Sequence, residues 1–437
     1  MRFAEVGAVI ACPQMILLAG DHEPPVVVGA GEIVVGSTSS FQYRIQGLPE
    51  DVIHAVRSLN RIRGNPYDGT LRERLEAVTE DGTRLLCGWT IPNVQPGDED
   101  KDWVFTGEID AITLDDNDPT ELFTDVAYLL PAHHRARLIL RRFFPKPGQD
   151  GKSVHKMLIL GGEVTFTLDD QADLLLVHAP STALLPATFT ENWLGEPLRV
   201  LFGQLIYPRF VARGTGSSVI NWIRPSPPWS RYGDACAFWQ GEESLTDRDG
   251  FWDSYVRLLA YTSRTRSFEA NTITNLYVEV IQAASGSRWV WALTYASAAE
   301  GLVNLIFPPG SRRSDMEATE IETLQAEVGK FKAHIDLWAG DSRLKEAAKR
   351  AASQILKTSA AIGLRQLRNA GWVTSDQYDA WCELRNDVMH GALVSPYSSA
   401  KDDKLLLDLA GLMHALTRRI IASIDPATGA VCVPLQS

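Results

Sequence analysis

Arg385-Asn386-Asp387-Val388-Met389-His390-Gly391 stands inside a long run of helical periodicity toward the end of the chain. It sets a permanent cation five positions before a group that titrates near neutral pH. Metal-free cleavage of a phosphodiester needs such a pair. The histidine moves a proton, and the arginine holds the charge that grows on the phosphate. Five residues turn about 500° on a helix, so Arg385 and His390 do not share a face. Asn386 and His390 do, at i and i+4, and the amide can orient the ring. If the helix stops at Gly391, the negative end of its dipole favours the imidazolium of His390.

Outward from this run, the helical period extends back to about Thr246. Ile321, Leu324, Val328, Phe331, Ile335 and Trp338 follow a 3-4-3-4-3 spacing, which predicts a seam for a neighbouring helix. A helix is expected over Arg288–Ile306. Another is expected over residues 343–369, closed by Asn369-Ala370-Gly371. Ser375 or Asp376 can cap the helix that carries the motif. Leu406, Leu409, Met413, Leu416, Ile420 and Ile424 mark a last helix, stopped before Pro426. These elements predict a bundle of at least five helices.

The first 240 residues read differently. Val26-Val27-Val28, Glu32-Ile33-Val34-Val35 and Phe41-Gln42-Tyr43-Arg44-Ile45 are β-branched or alternating segments. Residues 103–114 continue the pattern. So do residues 136–140, where Ala136, Leu138 and Leu140 alternate with Arg135, Arg137 and Arg141, as in a half-buried strand. One helix is expected at residues 194–205. Pro225, Pro227 and Pro228 interrupt regular structure before the helical part begins. The expected fold class is therefore α+β multidomain, with a β-rich domain over residues 1–240 and an all-α domain over 241–437.

The C-terminal residues resemble the HEPN superfamily of helical ribonucleases and nucleotide-binding domains, in particular its Apea-like branch. The resemblance rests on Arg385-Asn386 and His390-Gly391, and on Ala298-Ala299-Glu300-Gly301-Leu302 in an upstream helix. It covers roughly residues 245–425. The segment from Trp193-Leu194-Gly195 to Phe202-Gly203-Gln204 looks like the end of the β-rich domain that precedes many Apea-like domains, a looser likeness. The resemblance implies a homodimer with two motifs facing each other across a two-fold axis. It also implies attack of an RNA 2′-OH on the adjacent phosphate. His390 would then be the acid or base, Arg385 the charge stabiliser and Asn386 an orienting residue, with Glu300 as a possible support. Relatives of this architecture serve in bacterial anti-phage defence, by abortive infection or as toxins. The β-rich domain would then be a sensor that answers an unknown trigger.

Composition limits the partners. The net charge of −12 argues against indiscriminate nucleic-acid binding. Local charge differs: residues 341–371 carry seven Lys and Arg against Asp341 and Glu346. Lys357, Arg365 and Arg368 in that run are the expected RNA contacts, tRNA being a natural substrate class. Residues 133–156 carry seven more basic residues, against one Asp.

The five cysteines lie far apart and form no CxxC pair, so neither structural zinc nor a disulfide framework is expected. Asp115-Asp116-Asn117-Asp118 lacks the Gly and distal Glu of a calcium loop, and His133-His134 has no ligand partner at a useful spacing. No metal site and no cofactor are expected. No apolar run is long enough for a bilayer and no secretory leader pattern is read, so a cytoplasmic protein without membrane contact is expected.

Two readings of function follow. One is a metal-independent endoribonuclease. The other is a non-catalytic HEPN module that binds RNA or nucleotide or dimerises, with a β-rich domain that binds a protein or glycan. Nucleotidyl or phosphoryl transfer is disfavoured, because no phosphate-cradling Gly loop is present.

Overall fold

Ile33, Val35, Phe41, Tyr43 and Ile45 are buried, while Glu32, Val34, Gln42 and Arg44 between them are partly or fully exposed. That is the period of two expected of strands with one wet face. In the computed structural model these residues belong to a six-stranded barrel. The structure describes the chain except residues 1–6, 20–23, 38–39, 66–67, 69–70, 96–101, 117–121, 131–134, 149–150, 170, 241–244, 267, 308–317, 357–358, 390–396, 398 and 432–437. Two compact units divide it. One comprises Met1–Gly195, Leu205–Trp229 and Arg266–Phe268; the other comprises Glu196–Gln204, Ser230–Thr265 and Glu269–Ser437.

The first unit begins with β1 (Val9–Leu18), β2 (Pro25–Ser37), β3 (Ser40–Gly47) and α1 (Val52–Gly64). Next come β4 (Glu73–Val78), β5 (Arg84–Thr90), β6 (Asn93–Gln95), β7 (Trp103–Glu108) and β8 (Ile112–Asp116). β6 pairs with β7 at Asn93↔Thr106, and β5 pairs with β8 at Leu86↔Thr113. Both pairs keep one register, so residues 84–95 and 103–116 form a single long hairpin. Gly88 bends one arm at φ +76°, a conformation side-chain-bearing residues avoid. One arm pairs through β5 with β4, and the other pairs through β7 with β3. Since β4–β1–β2–β3 are themselves paired in that order, the ring closes. Its interior is filled by Met15, Leu17, Phe41, Leu75, Leu85 and Phe105, with Ala55 and Leu59 of α1 in the same core.

The rest of this unit is a second antiparallel sheet, joined to the barrel where β8 also pairs with β14. Its elements are β9 (Leu122–Leu129), α2 (Arg135–Phe143), β10 (Lys152–Ile159), β11 (Gly162–Asp169) and β12 (Leu174–Pro180). α3 (Ala187–Trp193), β13 (Pro208–Thr215) and β14 (Val219–Ile223) complete it, in the order β10-β11-β12-β9-β13-β14. α3 packs on β9 and β13.

Residues 135–143 correct the expectation of a strand. They form the helix α2, whose buried face is Ala136, Ile139, Leu140 and Phe143, at helical spacing. Leu138, placed inside by the alternating pattern, is 47% exposed. Both periods fit five residues; only Phe143, three places further on, separates them.

The second unit is helical. It contains α4 (Glu196–Phe202), α5 (Gly233–Cys236), α6 (Arg248–Ser263), α7 (Thr272–Ala283), α8 (Arg288–Ile306) and α9 (Ala318–Leu337). α10 (Ser342–Gln354), α11 (Ala360–Asn369), α12 (Ser375–Met389) and α13 (Ala400–Ser423) follow. α8 is central and packs against α7, α11, α12 and α13. The α13 residues Leu409, Met413, Leu416 and Ile420 are buried, as the last apolar stripe predicts. The chain thus has a large antiparallel sheet region in its N-terminal half and helices in its C-terminal half, the α+β arrangement.

Three helical expectations change in detail. Residues 343–369 are two helices: α10 ends at Gln354, and Ser359 starts α11 by accepting from the Ile362 amide. Gly371, at φ +77°, supplies the left-handed stop after α11. The cap of α12 is Thr374 and not Ser375 or Asp376. Its hydroxyl accepts from Gln377 N at 3.2 Å, while Gln377 Oε1 accepts from Thr374 N at 3.0 Å, a reciprocal capping box. On the α9 seam Ile321, Val328 and Ile335 are buried, but Phe331 and Trp338 are exposed, so only every second seam residue is covered.

Candidate active site

Three helices of the second unit position the motif. Ala380, Trp381 and Leu384 form the buried face of α12. The Trp381 indole N–H donates to the Ala296 carbonyl on α8 at 3.3 Å. One turn later Arg385 is exposed, with its guanidinium carbon 5.2 Å from the Trp381 ring centroid. That distance is within the range of a cation–π contact, which holds the side chain while leaving its hydrogen-bond donors open.

Ion pairs fix the direction of the helices. Glu383 accepts from Lys401 at 2.7 Å, and Asp403 pairs with Arg288. The C-terminal part of α12 therefore lies beside the N-terminal ends of both α13 and α8. Ser399 caps α13, accepting from Asp402 N at 3.1 Å. The carboxylates Glu383 and Asp403 are each engaged by another cation, and among the described residues none pairs with Arg385. A guanidinium at the surface, braced on an indole and without a carboxylate, is available to a phosphate.

The other expected site residues distribute as follows. Asn386 lies on α12 one residue beyond Arg385, its side chain outside the described residues. His390, Gly391 and Lys357 lie outside them altogether. Glu300 is on α8, half-buried, with no polar partner among the described residues. It is one turn beyond Ala296, away from the Arg288 end, whereas Arg385 is one turn beyond Trp381 toward that end. Their helix positions therefore step away from each other along the bundle, while the Arg385 guanidinium folds back over Trp381, whose indole meets the turn before Glu300.

Arg365 is exposed and without a partner among the described residues. Arg368 sits over the Tyr378 ring at 4.5 Å and links α11 to the start of α12. Tyr378 and Arg385 are separated by about 10 Å of helix rise, a span of one to two nucleotides. Much of the remaining basic charge is engaged. Lys349 pairs with Asp336, and Lys345 donates to the Asp336 carbonyl. Arg137 pairs with Asp173, and Lys156 with Glu163 at 2.7 Å.

Sequence reasoning missed a buried polar cluster in the same unit. Gln240 Nε2 donates to His414 Nδ1 at 2.6 Å, Tyr277 donates to Thr417 at 3.0 Å, and Tyr295 reaches Cys236 Sγ at 3.7 Å. Burial pushes His414 down to about 4 and the Cys236 thiol up to about 11. Neither serves as a base or thiolate at neutral pH. Among the described residues no three His, Cys, Asp or Glu side chains converge as metal ligands, and no helix is long and apolar enough to cross a membrane. The overlooked signal at the motif itself was Trp381, four residues before Arg385.

Comparison with known proteins gives no match to a family model, a curated protein or a solved structure.

Proposed function

We propose that this chain is a metal-independent endoribonuclease of HEPN type, acting on RNA such as tRNA. The 2′-oxygen attacks the adjacent phosphorus and the 5′-oxygen leaves, giving a 2′,3′-cyclic phosphate and a 5′-hydroxyl. His390 moves the proton, Arg385 holds the phosphate charge and Asn386 orients the ring. The observation that carries this reading is Arg385 itself, exposed near the end of α12, braced on Trp381 and free of any carboxylate among the described residues. The Arg365 side chain offers a second phosphate contact. A five-residue spacing does not set Arg385 and His390 on one helical face, so the working site combines two copies in a homodimer. The biological setting is bacterial defence, with the β-rich unit receiving the trigger.

The test is incubation of purified protein with total tRNA in the presence of a chelator, followed by mapping of the cut ends. Cyclic phosphate ends that disappear in His390→Ala support the reading. A second reading, a non-catalytic RNA-binding module, draws on the net charge of −12. It predicts RNA retention with no cut ends in either protein.

A further inference from the structure

We propose that the β-rich unit carries a binding site for a neutral carbohydrate on the outer face of its barrel. A cavity of about 730 Å³ lies there, within the roughly 300–1,000 Å³ of small-molecule sites. Its floor is set by register. Glu32, Arg44, Thr106 and Asn93 stand opposite one another across β2, β3, β7 and β6. Gln42 and Glu108 form the next row. Their neighbours Ile33, Tyr43 and Phe105 point into the barrel, so the alternation that fills the core also lines the cavity with polar groups. The wall is Arg72, at the entry to β4, with Trp89 and Ile91, where β5 turns toward β6. Trp89 keeps 44% of its surface exposed.

Charge balance selects the ligand. Arg44 and Arg72 line the cavity together with Glu32, Glu108 and Asp110. A phosphate or other strong anion would face three carboxylates, and a cation would face two guanidinium groups. A polyhydroxyl ligand avoids both penalties, because each hydroxyl donates one hydrogen bond and accepts others.

The polar groups are also unused. Arg44 stands directly opposite Glu32, yet neither has an ion pair among the described residues. Arg72 likewise has no partner there, and its Nε is buried without one. Donors and acceptors set side by side around one exposed indole match the polar edge and the C–H face of a pyranose. The site is independent of the ribonuclease reading.

The test applies the full chain to an array bearing neutral, sulphated, phosphorylated and sialylated glycans, in the absence of RNA. The expected result is saturable binding of a neutral glycan, weakened at least about tenfold in Trp89→Ala and largely kept in Trp89→Phe. Arg44→Ala, on an exposed strand position, should weaken it without altering thermal unfolding, which separates ligand loss from misfolding. The proposal is overturned if the wild-type chain binds no neutral glycan above the level of Trp89→Ala, or binds only the charged glycans. An inactive ribonuclease leaves this result standing, because no cleavage is read.

Discussion

The Trp381 indole donates to the Ala296 carbonyl on α8, and its ring also carries the Arg385 guanidinium. One buried side chain thus joins the core of the bundle to its exposed cation. Trp381→Ala should cost about 3–5 kcal/mol of stability, measured by denaturant unfolding. Trp381→Phe keeps a ring for Arg385 and should retain more cleavage than Trp381→Leu at comparable stability. Equal activity in the Phe and Leu variants would show that the ring does not position Arg385.

Loss of either motif group should remove cleavage without unfolding the chain. His390→Ala and Arg385→Ala should each lower the rate by roughly 10²–10⁴-fold, with far-UV circular dichroism unchanged. Arg385→Lys should restore little, because a point charge cannot make the forked contacts of a guanidinium. An unimpaired rate in His390→Ala sinks the assignment. Activity abolished by a chelator replaces it with a metal mechanism.

A composite site requires two copies. Light scattering at working concentration should give the mass of a dimer, and a cross-linker placed at Lys401, whose partner Glu383 lies on the Arg385 helix, should join the two chains. A monomer under conditions of full activity counts against the arrangement.

RNA affinity should depend on the exposed arginine of α11. Arg365→Glu should weaken binding and reduce the log–log salt slope by at least about 0.7, read by filter binding at several salt concentrations. Arg368→Glu is less clean, since it also removes the contact over Tyr378. Arg137→Glu would face Asp173 and should show mainly as lost stability, and Arg135→Glu is compared beside it on the β-rich unit. Dominance of Arg135 in RNA binding would make that unit part of the RNA site.

His414 should make the helical unit acid-sensitive. Its imidazole titrates near 6.5 when unfolded and at about 4 when folded, because burial opposes the charged form. Below 6.5 the unfolded chain takes up a proton that the folded chain refuses. The stabilisation is therefore complete above 6.5 and is lost as the pH falls toward 4, by about 3 kcal/mol in all. His414→Gln removes this dependence. The stability gap between the two proteins should shrink between about pH 7 and pH 5, and a constant gap refutes the burial argument.

Local rules account for what was legible beforehand. The stripe from Leu406 to Ile424 and the bounds of α8 at Arg288 and Ile306 follow from a period carried over many residues, which few competing structures can satisfy. The strand reading of 136–140 failed because five residues fit both periods. The single helix over 343–369 failed because Ala, Lys and Arg favour helix on either side of the break, and Ser359 was not recognised as a cap.

The amino-acid order by itself determined the Arg385–His390 spacing, the change from strands to helices and the apolar faces, because each depends on neighbours a few residues away. Tertiary structure alone decided that the Trp381 indole meets the Ala296 carbonyl on α8. It also closed residues 84–95 and 103–116 into a barrel and set Glu32, Arg44, Thr106 and Asn93 in one row. Helix direction and strand register are choices among long-range pairings, and only the packing of the whole core sets their energy.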